Sequence, residues 1–162
     1  MVAFKTLVFT ILVPGMIGGL TPWLLAQGAA QGSTPQGSSV WLAVGLLLLV
    51  VGVGLYLWCA GAFTFIGKGT PAPIDAPKAL VVQGPYRWVR NPMYIAVLLV
   101  ILGQALLFRA SLLVGYALLF WLIVHAFVVF VEEPSLRDQF GSSYDDYLRR
   151  VPRWIPRLRP LT

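Results

Sequence analysis

Four long apolar runs constrain this 162-residue chain more than any other feature of its sequence. A hydrocarbon core about 30 Å thick needs roughly 20 residues of α-helix, so we expect each run to cross a membrane once. The third run is short by that measure, so it either borrows flanking residues or lies in a locally thinned bilayer. The runs are Val2–Ala26, Val40–Ile66, Met93–Phe108 and Ala110–Val131.

Charged residues make up only 11% of the chain, whereas soluble domains carry about 25%. So few charges cannot cover the surface of a soluble domain. The first run also exceeds the roughly 7–15 apolar residues of a signal peptide, which favours a membrane span. We therefore predict an all-α, polytopic transmembrane bundle that forms a single membrane-embedded domain over residues 1–162. Its spans are expected at about 3–26, 40–66, 92–108 and 110–132, followed by a tail at 133–162.

The distribution of cations predicts the topology of this bundle. Four spans place the N-terminus, the 64–92 connection and the C-terminal tail on one side, and of the 12 Lys and Arg residues only Arg109 lies on the other. Because Lys and Arg in short loops mark the cytoplasmic side, we predict that both termini and any active site face the cytoplasm. The net charge of +6 follows from this topology. It attracts anionic lipid headgroups and requires no nucleic acid partner.

A first polar cluster, at residues 84–94, precedes the third span and opens with a Gly-Pro turn signal. Asn91 followed by Pro92 is typical of an N-cap and the first residue of a helix. The free N–H groups of Met93 and Tyr94 would then face the interface, where they favour a carboxylate or other anion. The alternative is a well-capped membrane helix with aromatic anchors.

A second cluster, Glu132-Glu133-Pro134, closes the fourth apolar run. Carboxylates at a helix C-terminus face the negative end of the helix dipole, which costs about 0.3–1 kcal/mol each at exposed sites. Acids in this position suggest a cationic or hydroxyl-bearing ligand. Arg87 or Arg90 could instead supply an internal ion pair without any ligand.

His125 lies two helical turns before Glu132, roughly 10 Å deeper at a rise of 1.5 Å per residue, and shares its helix face. A polar residue within a span is a functional hypothesis by default, but a hydrogen-bonded helix contact explains it equally well. His125 is the single histidine and Cys59 the single cysteine. The sequence therefore indicates neither an intrachain disulfide nor a metal site.

A third cluster lies in the tail, where apolar and aromatic side chains recur at helical spacing beside three arginines. This pattern predicts an amphipathic interfacial helix. The helix either anchors the chain to the membrane surface or roofs a pocket over the other two clusters. The residues concerned are Phe140, Tyr144, Tyr147, Leu148 and Val151, with Arg149, Arg150 and Arg153 as the cations.

Residues 78–156, which contain the three clusters, resemble the integral-membrane methyltransferases of the isoprenylcysteine carboxyl methyltransferase and phosphatidylethanolamine N-methyltransferase superfamily. The Asn-Pro-Met-Tyr at 91–94 and the Glu-Glu-Pro at 132–134 are most similar to the phospholipid enzymes. The Tyr86-x-x-x-Arg90 segment and the Phe-Gly-x-x-Tyr-x-x-Tyr tail are more similar to the prenylcysteine branch.

This resemblance implies that S-adenosylmethionine is held at the cytoplasmic ends of the helices, while a lipid-like acceptor enters from the bilayer. It implies cofactor contacts at Lys78, Ala79, Leu80, Val81, Tyr86, Asn91, Pro92, Met93, Tyr94, Glu132 and Glu133.

Two positions depart from the prenylcysteine pattern. Asn91 stands where those enzymes usually carry His, and Val128 stands where they carry an Arg that meets the substrate carboxylate. The missing cation favours a neutral or cationic acceptor, although Arg149 or Arg150 could bind an anionic substrate from the tail.

We therefore predict S-adenosylmethionine-dependent methyl transfer to a lipid-like acceptor in the membrane, favouring an amine headgroup as in phospholipid N-methylation. An ammonium must first lose a proton, for which Glu133 or His125 is the candidate base. The alternative is carboxyl O-methylation of a prenylated cysteine or similar isoprenoid thioether acid. A second alternative is a non-catalytic membrane scaffold that retains the fold.

Overall fold

The computed structural model describes residues 2–29, 39–67 and 79–161, and within these ranges it contains helices and turns but no strand. The all-α prediction is confirmed for this part of the chain. The helices are α1 (Val2–Leu12), α2 (Thr21–Ala29), α3 (Ser39–Phe65), α4 (Pro92–Leu107), α5 (Ser111–Phe127), α6 (Glu133–Phe140) and α7 (Ser142–Arg150). Two π-helical segments (Gly15–Leu20 and Val128–Glu132) and a 3₁₀ turn (Gly84–Arg87) complete the described elements.

Three helical stretches of the described residues are long and apolar enough to cross a membrane: Phe4–Gly28, Ser39–Phe65 and Ser111–Phe140. Helix α4 is apolar but has only 16 residues, about 24 Å at 1.5 Å per residue. That length falls short of a 30 Å hydrocarbon core. An integral membrane protein is therefore supported, whereas the count of four spans and the cytoplasmic orientation remain predictions.

Helices α3 and α4 form the most extensive helix–helix contact among the described residues, and glycines line it. A Cβ placed on Gly52 would lie 2.8 Å from the backbone oxygen of Ala96, and one on Gly103 would lie 2.9 Å from that of Gly45. Small residues allow such close approach of backbones, which strengthens van der Waals packing between membrane helices. Tyr56 and Ala60 of α3 pack in one buried cluster with Ala96 and Val97 of α4.

The first apolar run is held to the bundle through its π-helical segment, Gly15–Leu20. Gln104 Nε2 donates a hydrogen bond to the backbone oxygen of Gly18 (2.6 Å), and the Tyr116 hydroxyl donates to that of Ile17 (2.8 Å). A π-helical turn disturbs the regular i→i−4 pattern, which leaves carbonyl groups available for side chains of α4 and α5. The first run is thereby docked alongside both helices.

The fourth apolar run does not end at the acidic pair. The helix passes from α5 through the π-helical turn Val128–Glu132 into α6, so Glu132 and Glu133 lie within a helical stretch and not at its C-terminus. The wide turn accommodates Pro134, whose missing N–H would break a regular helix. The dipole argument for these two acids therefore does not apply.

The predicted tail helix is present but divided. Gly141 has a φ of 55°, a conformation that favours glycine, and it separates α6 from α7. One face of α7 is buried through Tyr144 and Tyr147, and Val151 directly after the helix is buried with them. These side chains pack against Leu80, which lies in the connection before α4. The tail therefore covers one end of the bundle, next to the first polar cluster.

Candidate active site

The two acids of the second cluster point to different partners. Adjacent residues in a helix project about 100° apart, and the π-helical turn lies directly at this pair. Glu132 Oε2 accepts a hydrogen bond from the Tyr94 hydroxyl at 3.1 Å. Glu133 instead accepts from Arg90 and Arg153. The two carboxylates therefore occupy separate environments, although they are neighbours in sequence.

Glu133 is the anion of a buried ion-pair cluster. Arg153 binds it with two hydrogen bonds of 2.8 Å, from Nε to Oε1 and from Nη2 to Oε2, and Arg90 Nη1 approaches Oε1 at 2.7 Å. The hydrogen bond to Glu133 raises the pKa of Arg153. The internal ion pair considered for Arg90 is thus present at Glu133, whereas Arg87 donates its Nε to the backbone oxygen of Leu161.

Asn91 stands at the N-cap position of α4 and Pro92 at its first residue, as the sequence indicates. The Asn91 side chain does not cap the helix, however. Its Nδ2 donates to the backbone oxygen of Arg153 at 3.1 Å, because the tail brings that carbonyl within reach. The expected side-chain cap is therefore replaced by a contact that ties the first cluster to the tail.

Backbone hydrogen bonds fix the tail across the segment that precedes α4. Arg90 N–H donates to Pro152 O (2.9 Å), and Arg157 N–H donates to Trp88 O (3.0 Å). Together with the Asn91 contact, these bonds cover residues 88–91 with the polypeptide that follows α7. The polypeptide that follows α7 therefore covers part of the first polar cluster, and a tail helix that roofs a pocket remains a prediction.

His125 contacts the tail. Its Nδ1 accepts a hydrogen bond from Trp154 Nε1 at 3.0 Å, and its ring stacks on Trp121 with centroids 5.2 Å apart. Accepting at Nδ1 requires the neutral imidazole, with its proton on Nε2. His125 does not line the cavity described next, so the structure shows it as a contact between helix and tail, and its role as a base remains a prediction.

A cavity of about 180 Å³ lies between the first apolar run and helices α3, α4 and α5. Its lining extends from Phe120 of α5 to Glu132 of the π-helical turn that follows, about 18 Å at 1.5 Å per residue. One part of the wall is polar and the remainder is apolar and aromatic. The polar lining comes from Arg90, Asn91, Tyr94 and Glu132, and the rest from Phe9, Val13, Pro14, Ile17, Tyr56, Phe63, Tyr86, Met93, Val97, Phe120 and Val124.

Buried tyrosines reinforce this end of the bundle. Tyr86 lines the cavity and meets Phe63 edge to face, with ring centroids 5.5 Å apart. Burial raises the pKa of Tyr86 well above its usual range and that of Tyr144 to about 12. Burial also raises the pKa of Tyr147, whose hydroxyl donates to the backbone oxygen of Tyr86 at 2.8 Å. These phenols therefore remain neutral hydrogen-bond donors at physiological pH.

Several residues implied as cofactor contacts gather at this cavity, whereas others do not line it. Tyr86, Asn91, Met93, Tyr94 and Glu132 are part of its wall. Among the remaining contacts, Ala79 is exposed, Leu80 is partly buried, Val81, Pro92 and Glu133 are buried, and Lys78 lies outside the described residues.

The two cations predicted to bind substrate lie on the exposed face of α7. Arg149 pairs with Asp146, and its side chain keeps 71% of its surface accessible. Arg150 is also exposed. Neither lines the cavity, so their assignment to substrate remains a prediction that the structure does not support directly.

Sequence reasoning missed the contribution of Arg153 and Trp154 to this region. Both approach helix residues that are 20 or more positions away in the chain. It also missed the aromatic wall supplied by Phe9, Phe63 and Phe120. Each of these side chains belongs to a uniformly apolar run or an arginine-rich tail, where nothing in the local pattern separates it from its neighbours.

The residues of the cavity fit S-adenosylmethionine, the cofactor that the sequence implies. Glu132 offers a carboxylate for an ammonium or ribose hydroxyls, and the aromatic rings of Phe63 and Tyr86, which line the cavity, suit a sulfonium cation. The buried Nε of Arg90 has no hydrogen-bond partner among the described residues, and a carboxylate would supply one. Because cofactor-sized sites usually enclose roughly 300–1,000 Å³, the cavity either widens on binding or leaves part of the ligand outside.

The sequence profile of the phospholipid methyltransferase family matches residues 40–143, more than half of the chain. The chain belongs to this family. The match covers α4, α5 and α6 completely, together with the Asn91–Tyr94 segment and the acidic pair. It confirms the superfamily of integral-membrane methyltransferases predicted from the three polar clusters.

Individual relatives fall into two groups. The nickel-cobalt-cadmium resistance protein NccN of Alcaligenes xylosoxydans xylosoxydans is 29% identical over 134 residues, which are 83% of this chain and 58% of the relative. The protein-S-isoprenylcysteine O-methyltransferase of Homo sapiens is 35% identical over 121 residues, 72% of this chain and 42% of the relative. That of Xenopus laevis is 37% identical over 78 residues, 48% of this chain and 27% of the relative.

The chain spans about half the length of the curated relatives it matches. No solved structure matches it.

Proposed function

We propose that this protein transfers a methyl group from S-adenosylmethionine to the carboxylate of a membrane-embedded isoprenoid thioether acid, such as a prenylated cysteine. The relatives named protein-S-isoprenylcysteine O-methyltransferase favour this carboxyl methylation over the amine headgroup methylation that the sequence analysis preferred. The observation that carries the proposal is that the candidate bases near the cavity, Glu133 and His125, already accept hydrogen bonds from other side chains. Their hydrogen bonds suit an acceptor that needs no deprotonation.

An amine acceptor would need a base that takes its proton. Both oxygens of Glu133 already accept hydrogen bonds from arginines, and Nδ1 of His125 accepts from Trp154. Neither residue lines the cavity. Glu132 does line it, but its Oε2 accepts from Tyr94 and it is the group suited to an ammonium or hydroxyl of the cofactor. A carboxylate acceptor, which is already ionised at neutral pH, avoids this requirement.

When bound, S-adenosylmethionine supplies an activated methyl group, which becomes bonded to a carboxylate oxygen as the carbon–sulfur bond breaks and its electron pair stays on sulfur. The protein mainly aligns the two reactants, and alignment alone can contribute roughly 7–11 kcal/mol to the lowering of the barrier. We assign Glu132 and Tyr94 to holding the cofactor, and the rings of Phe63 and Tyr86 to contact with the sulfonium. The apolar wall then receives the chain of the acceptor and excludes water, which would otherwise solvate the nucleophile.

The test uses detergent-purified protein with radiolabelled S-adenosylmethionine and either N-acetyl-S-farnesylcysteine or phosphatidylethanolamine in mixed micelles. We expect label in the farnesylcysteine, released as methanol by mild alkali, because a methyl ester is base-labile and an N-methyl group is not. Base-stable label in the phospholipid would establish the amine alternative instead. No label in either acceptor, with the protein shown to be folded, would overturn both proposals and favour a non-catalytic scaffold.

Cofactor binding is measured separately by calorimetric titration with S-adenosylhomocysteine. Glu132→Gln is expected to weaken binding at least tenfold, since a hydrogen bond to a charged group contributes about 1.5–3 kcal/mol. Arg137→Gln is the matched control, because Arg137 lies on the same helical stretch but is exposed and paired with Asp145. Equal affinities of the two variants would remove Glu132 from the cofactor site.

A further inference from the structure

Arg90 is the only cation that lines the cavity in the described part of the chain. It lies within the first polar cluster, one residue before Asn91, and its backbone N–H donates to Pro152 O. Its side chain is 13% exposed, and Nη1 donates to Glu133 at 2.7 Å. The guanidinium therefore stands between the ion-pair cluster and the cavity.

The ion-pair cluster around Glu133 carries one more positive than negative charge. Arg153 already binds both oxygens of Glu133, and Arg90 is a second guanidinium on the same carboxylate. One carboxylate balances only one of these two cations. Arg90 is the less exposed of the two arginines. Glu132, the other carboxylate of the cavity wall, accepts its hydrogen bond from Tyr94. A largely buried guanidinium is favoured by a further anionic partner.

One donor of Arg90 is also unused. Its Nε is buried and has no hydrogen-bond partner among residues 2–29, 39–67 and 79–161. Leaving a buried donor without an acceptor is unfavourable. The planar donor fork of arginine matches a carboxylate in geometry, so an anionic ligand in the cavity would satisfy both the charge and the donor.

We propose that Arg90 binds a carboxylate inside this cavity. This inference rests on the proposed function, whose two reactants each carry a carboxylate: the acceptor acid and the amino-acid end of the cofactor. Arg90 then determines which acceptors or cofactor analogues bind, in addition to holding Glu133. The exposed cations Arg149 and Arg150 are not needed for this recognition.

The test compares Arg90→Lys and Arg90→Gln with Arg153→Gln in direct binding measurements. Lysine retains a charge for Glu133 but lacks the Nε donor, so it separates ligand binding from support of the fold. Arg153→Gln is the matched control because Arg153 binds the same carboxylate from outside the cavity lining. The unfolding midpoint of each variant is recorded first, so that only folded proteins are compared.

Two pairs of probes distinguish the source of the carboxylate. S-adenosylhomocysteine is compared with 5′-methylthioadenosine, which lacks the amino-acid end, and N-acetyl-S-farnesylcysteine is compared with its methyl ester. In each pair, the preference is the ratio of the affinities for the probe with the carboxylate and the probe without it. We expect this ratio to fall at least tenfold in both Arg90 variants for one of the two pairs. Loss in the first pair assigns Arg90 to the cofactor, and loss in the second assigns it to the acceptor.

Wild-type preferences retained in both pairs by folded Arg90→Lys and Arg90→Gln would overturn the inference. Equal losses in Arg153→Gln would also overturn it, because the effect would then come from the ion-pair cluster and not from contact with the ligand. These readouts require no turnover. A wild-type protein that discriminates acid from ester but transfers no methyl group would refute the proposed function while leaving Arg90 as the carboxylate site.

Discussion

Arg153 and Glu133, which are 20 positions apart in sequence, form a bidentate ion pair. This pair connects the C-terminal tail to the helical stretch of α5 and α6. Both hydrogen bonds are 2.8 Å long, and bidentate pairs of this kind are among the stronger charge-assisted contacts. The backbone carbonyl of Arg153 also accepts a hydrogen bond from the Asn91 side chain. The position of the tail and the geometry of the site are therefore coupled through Arg153.

Glu133→Gln is expected to lower the free energy of unfolding by about 3 kcal/mol, because two guanidiniums lose their carboxylate in a largely buried setting. Cys59 is fully buried, so a thiol-reactive dye reports the unfolding midpoint in detergent. The control Asp145→Asn removes the exposed partner of Arg137 and should change stability by less than about 1 kcal/mol. Equal midpoints in the two variants would show that the cluster does not stabilise the fold.

Gly52→Ala is expected to destabilise the α3–α4 pair by about 1–3 kcal/mol, the usual cost of overpacking. Its new Cβ would lie 2.8 Å from the Ala96 backbone oxygen, whereas a Cβ on Gly54 of the same helix meets nothing within 4 Å. Gly54→Ala should therefore be neutral or slightly stabilising, since alanine favours the helix by about 1 kcal/mol. Thermal unfolding of both variants checks the prediction, which fails if they shift the midpoint alike.

His125 and Trp154 should behave as a coupled pair. Unfolding midpoints of His125→Phe, Trp154→Phe and the double variant form a cycle, and we expect a coupling of about 0.5–1.5 kcal/mol for their hydrogen bond. Additive effects would contradict a direct contribution of this contact. If His125 were instead the base of the reaction, His125→Asn, which restores a hydrogen-bond acceptor, would recover stability but not kcat.

The stability of the tail is expected to depend on alkaline pH through Tyr144. Burial, assisted by the charge of Glu133, raises the pKa of Tyr144 to about 12, from an ordinary value near 10. The fold thus favours the neutral phenol, and this contribution is fully present below pH 10 and is lost as pH rises toward 12. The midpoint of Tyr144→Phe should fall less steeply than that of wild type between these values. Parallel pH profiles of the two proteins would exclude this role for Tyr144.

Arg149→Ala and Arg150→Ala distinguish two assignments of the substrate-binding cation. If Arg90 binds the acceptor carboxylate, these exposed side chains should change KM for N-acetyl-S-farnesylcysteine by less than about twofold. The same assay on Arg90→Lys should show an increase of about tenfold, corresponding to about 1.4 kcal/mol. A tenfold rise in KM for Arg149→Ala or Arg150→Ala would instead return the role to α7.

The helical architecture could be predicted from sequence because it depends on local pattern, and the predicted cofactor contacts account for one third of the cavity wall. An apolar run of sufficient length has to satisfy its backbone hydrogen bonds internally in lipid, which requires a helix. The Asn91-Pro92 pair marked the start of α4 for an equally local reason, the fixed φ of proline. Tyr86, Tyr94 and Glu132 were expected at the site because the resemblance to the methyltransferase superfamily implies them as cofactor contacts, and all three line the cavity.

Only the tertiary structure decided which polar groups meet. Glu132 meets Tyr94 whereas Glu133 meets Arg90 and Arg153. The partners Arg153 and Trp154 come from a tail that folds back over the bundle. Periodicity specifies the face of a helix, but it does not specify which distant segment packs against that face. The apolar runs by themselves determined a helical membrane protein. The packing of its first run and its tail determined where a cavity lies and which arginine borders it.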